Sequence, residues 1–118
     1  MAVTNNVLLT GVALLTDTDV AGTAVVAKAS SAVLYELELD NTANVAASYF
    51  KMYNTGTVTV GTTVPDWVIK VPASTKRSLV SPDGFAFDTA LSYAATTAGG
   101  TTGSTGPTSD FAIKMVYV

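Results

Sequence analysis

Apolar and polar residues alternate along most of this chain. In residues 33–40, Val33, Tyr35, Leu37 and Leu39 hold the odd positions and Leu34, Glu36, Glu38 and Asp40 the even ones. A period of two sets an apolar face against an acidic one, as in a strand with one buried side. Asn41 stops the run, and Thr42-Ala43-Asn44 is a polar turn. The next strand covers 47–53, with Tyr49, Lys51 and Tyr53 on one side and Phe50 and Met52 on the other, up to the turn signal Asn54-Thr55-Gly56. Residues 57–60 read as a short strand ended by Gly61. In 66–71, Trp67, Ile69 and Val71 point one way, and Pro72, which cannot donate to a central ladder, closes the segment. Residues 76–80 predict another short strand, and Ser81-Pro82-Asp83-Gly84 a turn. Phe85 and Phe87 alternate beyond it, then Leu91, Tyr93 and Ala95. A low-complexity loop fills 96–108, and 111–118 is the last strand. In the N-terminal third, 7–15 and 23–28 are strand-like, with Thr16-Asp17-Thr18-Asp19 as a turn between them.

Short strands separated by turn signals every eight to twelve residues predict an all-β fold, an antiparallel β-sandwich or small jelly roll of about eight strands. The Ala-rich pieces 43–47 and 90–95 are too short for an ordinary helix. A length of 118 residues suits a single domain spanning 1–118, able to bury about two-thirds of the surface its unfolded form exposes. Residues 1–6 form a polar lead-in that reads as an N-terminal arm. The final strand has strong β-propensity and one charge, Lys114. An open edge of that kind invites aggregation, so this strand is expected inside a sheet or paired with a neighbour.

Composition narrows the chemistry. Without cysteine or histidine the chain has no disulfide, no thiolate metal site and no Ser-His-Asp triad. No motif supports a Ser-Lys pair, so the expectation is a protein that is not an enzyme and carries no cofactor. The six basic residues are scattered, with Lys76-Arg77 the one adjacent pair. Nucleic-acid binding requires a clustered basic face, so no nucleic-acid partner is expected. The apolar stretch 7–15 is interrupted by Thr10 and Gly11, is too short to span a bilayer and lacks a basic n-region. No membrane partner is expected either, and a cytosol-like compartment is. The charged fraction is 13%, about half the usual ~25%, and mean hydropathy is +0.40. A small domain with so little charge to coat its surface points to self-association or partner contact rather than a bare monomer.

Several segments invite a chemical reading. Glu36, Glu38 and Asp40 would suit a cation or paired acids, but three carboxylates in a row on one strand describe a solvated outer face better. Asp17-Thr18-Asp19 opens like a calcium loop but lacks its glycine and terminal Glu, which leaves a turn. Trp67, the sole tryptophan, either stacks sugars together with Tyr49, Tyr53, Phe85 and Tyr93 or, more simply, fills the core with Ile69 and Val71. The 96–108 loop has no Lys and no strand-to-helix setting for phosphate. Its length marks it as a contact loop for a neighbouring subunit or a mobile excursion. The candidate interface residues are therefore Val3, Asn5 and Asn6 in the arm, Trp67, Gly99, Gly100, Thr101 and Thr102 in the loop, and Tyr117 in the last strand.

Four phrases carry a resemblance: Leu34-Tyr35-Glu36-Leu37-Glu38-Leu39-Asp40-Asn41-Thr42-Ala43-Asn44, Gly61-Thr62-Thr63-Val64-Pro65-Asp66, Val71-Pro72-Ala73 and Phe87-Asp88-Thr89-Ala90-Leu91-Ser92. Residues 32–118 resemble small β-sandwich structural proteins of tailed-bacteriophage virions, in particular capsid decoration (cement) proteins. The resemblance implies a non-enzymatic part of the phage particle, made in the host cytoplasm, often trimeric, that binds the major capsid protein or another virion protein. It carries over no ligand residues. The alternative is a small carbohydrate-binding or tail-fibre sandwich module.

Overall fold

A computed structural model describes residues 11–118. Val3, Asn5 and Asn6, the arm, and the part of the first expected strand at 7–10 lie outside the described residues. Eight strands follow in order: β1 (Ala13–Asp17), β2 (Val25–Lys28), β3 (Ala32–Asp40), β4 (Ser48–Tyr53), β5 (Trp67–Val71), β6 (Lys76–Phe87), β7 (Leu91–Thr96) and β8 (Ala112–Tyr117). No helix occurs among the described residues.

The strands form two four-stranded sheets, β1-β8-β3-β6 (sheet I) and β2-β7-β4-β5 (sheet II), and every pairing is antiparallel. The partners β1·β8, β2·β7, β3·β6 and β4·β5 are those of one long hairpin, with β4–β5 at its tip, rolled so that successive pairs fall in alternate layers. That strand order is a jelly roll, one of the two architectures the alternation predicts. The last strand lies inside sheet I, between β1 and β3. Its backbone is thus paired on both sides by its own chain.

The core lies between the layers. Sheet I contributes Ala32, Leu34, Leu37, Leu39, Phe87, Ile113 and Met115, and sheet II Phe50, Met52, Val71, Leu91, Tyr93 and Ala95. Phe50 stands at the centre, stacked on Tyr93 (5.7 Å between centroids) and on Phe111 (6.1 Å). Each such side chain taken from water contributes about 1.5–3 kcal/mol. One end of the sandwich is closed by polar groups. Buried Asn41 shares its amide hydrogens among the carbonyls of Ala46, Val71 and Pro72, and its oxygen accepts from Asn44 and Ser48.

Three local expectations are corrected. In β3 the inward residues are Ala32, Leu34, Leu37 and Leu39, while Val33 and Tyr35 are half-buried. The register shifts between Leu34 and Glu36 against both neighbouring strands, and the bulge reverses a strict alternation at that point. Residues 57–60 form no strand: both edges of β4 are occupied by β5 and β7, and Thr62 and Thr63 donate back to the Thr59 carbonyl in a local turn. Finally, Ser81-Pro82-Asp83-Gly84 does not separate two strands. It bulges from within the twelve-residue β6, because Val80 pairs with Glu36 and Phe85 with Leu34, leaving four residues opposite Tyr35. Gly84 takes φ +81°, and a Cβ there would overlap Val33.

Candidate functional site

The end of the sandwich remote from Asn41 is open. On β5 the side chains facing the other sheet grade outward, with Val71 fully buried, Ile69 half-buried and Trp67 47% exposed. On β6, Arg77 and Leu79 pair with Leu39 and Leu37, so both share the inner face of sheet I. Leu37 is buried, yet Leu79 is 37% exposed. Between these two edge strands lies a cleft of about 320 Å³. Its floor is Leu34, Leu37 and Met52, its walls are Trp67, Ile69, Leu79 and Phe85, and Glu36, Lys70, Arg77 and Ser81 stand among its lining as the polar groups. The Trp67 and Phe85 rings meet edge-on, 5.1 Å apart and inclined by 61°.

Charge at this cleft is uneven. The only ion pair among the described residues joins Lys76 to Asp40 at 3.7 Å, so Lys70 and Arg77 have no carboxylate partner there. Asp40 is held below the usual carboxylate range, first by the hydroxyl and amide of Thr42 and then by Lys76. Glu36, Glu38 and Asp40 lie along the outer face of sheet I, with Glu38 between Ser78 and Lys114. No group of acidic residues arranged to hold a metal occurs among the described residues. Thr16 and Asp17, expected in a turn, close β1 instead, and the chain bends after them, with the Asp19 amide donating to Asp17 Oδ1 (3.0 Å) and the Tyr93 hydroxyl to Oδ2 (2.7 Å).

The 97–108 loop folds back over the outer face of sheet II. Fully buried Lys51 projects from β4 on that side and donates to the carbonyls of Gly100 (2.7 Å) and Gly103 (3.0 Å). Burial lowers the Lys51 ammonium pKa. Gly99 lies so close to Tyr49 that a Cβ would stand 2.8 Å from its ring. Gly100 and Thr102 remain exposed at the tip and Thr101 half-buried. Of the two readings of this loop, a neighbour contact or a free excursion, neither anticipates its docking on its own sheet. Tyr117 is half-buried against the core, with its hydroxyl donating to the Ala27 carbonyl (3.1 Å).

The sugar-stacking platform is not assembled. Tyr53 and Tyr93 are buried, Tyr49 lies under Gly99, and only Phe85 reaches Trp67. Nor does Trp67 fill the core in the manner of Val71. The sequence reading placed Phe85 beside Trp67 but missed Arg77 and Leu79 as the rest of its surroundings. The signal was present in the alternation of Arg77 and Leu79 against Lys76, Ser78 and Val80, although nothing local says that β6 ends its sheet. Comparisons with protein-family models, with curated proteins and with solved structures found no match to this chain.

Proposed function

We propose that this protein is a non-enzymatic structural part of a larger particle, working through surface contacts. The particular form we propose is the one its resemblance implies, a capsid decoration protein that binds the major capsid shell of a tailed phage. The observation that carries this reading is bare apolar surface at the two sheet edges: Trp67 and Leu79 are exposed in the cleft between β5 and β6, and Val68 and Val80 on the outward sides of those strands. Contiguous exposed apolar surface marks interaction sites in soluble domains. The outer face of sheet I adds a cross-strand row, Leu14–Val116–Glu36–Val80, in which Leu14 is 70% and Val80 69% exposed. A jelly roll is a frequent fold of capsid proteins, though also of lectins, so the fold supports the reading by analogy only. A sugar-binding module would draw on the exposed Trp67 ring, but the cleft around it is walled by aliphatic and aromatic side chains with few hydrogen-bonding groups.

Light scattering of the purified chain over a concentration series tests the self-assembling form. A closed oligomer of fixed mass, dispersed by Leu14→Asp or Val80→Asp, is the expected result. A strict monomer at millimolar concentration that also fails to sediment with phage shells would overturn the proposal.

A further inference from the structure

We infer that the cleft between β5 and β6 seats one extended strand of another polypeptide, with large apolar side chains at alternate positions and a carboxylate between them. This deepens the proposed structural role by naming how a partner chain docks, and it rests on that reading. Sheet II ends at β5 and sheet I at β6, so both strands beside the cleft have an unpaired edge. Leu79 points inward beside buried Leu37 and is nevertheless wet. A strand added to the open edge of β5, at the ordinary spacing of about 4.8 Å, would cover the open side of the cleft beside Leu79. Its alternate side chains would enter the cleft, whose 320 Å³ falls within the range of about 300–1,000 Å³ for sites that hold a ligand.

Charge selects the occupant. The intervening side chains of an added strand would emerge beside Val68 and Lys70, the outward residues of β5. Lys70 and Arg77 lack carboxylate partners among the described residues, and Glu36 is the single acid lining the cleft. An acidic group at one of those intervening positions meets Lys70, in a chain whose net charge is −3. A second copy docking β5 against β5 would instead bring Lys70 of both copies to one seam, which like-charge repulsion disfavours.

Trp67 reports on its own cleft, because it is the only tryptophan. The probe is a capped peptide alternating valine and threonine, with one central threonine replaced by glutamate, titrated into the full-length protein. A saturable blue shift of Trp67 emission and protection from acrylamide are expected. They should be absent with serine in place of valine and about tenfold weaker with lysine in place of glutamate. Leu79→Asp should weaken binding by about tenfold or more. Lys70→Glu, at an exposed position that leaves the fold intact by circular dichroism, should reverse the preference between the glutamate and lysine peptides. The inference is overturned by a silent Trp67, by an equal response to the serine peptide, by a response to cello-oligosaccharides instead, or by a blue shift that follows protein concentration alone and so places a second copy in the cleft. Light scattering reads assembly independently. An intact oligomer with a silent Trp67 sinks the cleft alone, whereas a saturable peptide response from a chain that never assembles or binds shells sinks the structural role.

Discussion

Lys51 is a cation that the fold has spent on two carbonyls. Its stem crosses the buried outer face of β4, and its ammonium group ties down Gly100 and Gly103. Hydrogen bonds with a charged partner are worth about 1.5–3 kcal/mol each. Lys51→Met keeps the stem and removes both bonds, so limited proteolysis within 97–108 should accelerate about tenfold or more, with a smaller change in global stability. Two buried tyrosines set the alkaline limit. Burial raises the Tyr53 hydroxyl pKa, and burial together with the bond to Asp17 raises that of Tyr93. The folded chain keeps these protons above about pH 10, where the unfolded chain releases them. Their contribution is therefore complete below about pH 10 and is lost as pH climbs through the folded values. Denaturant titrations should show stability falling from about pH 10 upward, and Tyr93→Phe should flatten that fall while costing about 1 kcal/mol at neutral pH. Lys51 acts with the opposite sign. Its lowered pKa makes the unfolded chain the better proton holder, so its share of stability rises with pH up to the ordinary lysine value. The alkaline fall should be steeper in Lys51→Met.

Strand β6 shows what a period of two can and cannot tell. Both halves of it were legible as strands, and Ser81-Pro82-Asp83-Gly84 as a turn. That the turn bulges from one continuous strand depends on β3 pairing along its whole length, a long-range fact. The bulge in β3 was invisible for the same reason: in an ideal strand Leu34 and Leu37 fall on opposite faces, and only the shifted register lets both reach the core. Strands β4, β5, β7 and β8 were read closely because their alternation is uninterrupted. The 57–60 strand failed because propensity without an unoccupied neighbouring edge makes no sheet. Trp67 could be singled out as the lone tryptophan, but its degree of burial follows from β5 and β6 both being edges, which no local pattern encodes. Gly84 supplies the element-level prediction. Gly84→Ala would force a Cβ into Val33 at a positive φ, and should cost about 1–3 kcal/mol in denaturant titration while shifting the Trp67 emission through neighbouring Phe85.

The two sheets of this molecule are finished differently. Sheet II is wrapped on its outer side by the 97–108 loop, so every residue of β7 is buried. The outer face of sheet I carries exposed Leu14 and Val80 among its charges. With a pI of about 4.5 and only 13% charged residues, little repulsion restrains that face in mild acid. Dynamic light scattering should report a larger particle at pH 4.5 than at pH 7.5, and added glutamates on the outer face, for example Val80→Glu, should abolish the difference.

The place of β8 bears on how the chain reaches this state. β1 touches the rest of sheet I only through β8, which follows the other seven described strands in chain order. Until it emerges, β1 has no partner and β3 lacks one of its two. Sheet I therefore closes in a single late step that joins the two extremes of the described chain, and refolding should be slow, in the range of milliseconds to seconds typical of topologies ruled by distant pairings. A ribosome-bound chain lacking 112–118 should remain protease-sensitive throughout β1, however long it is held there.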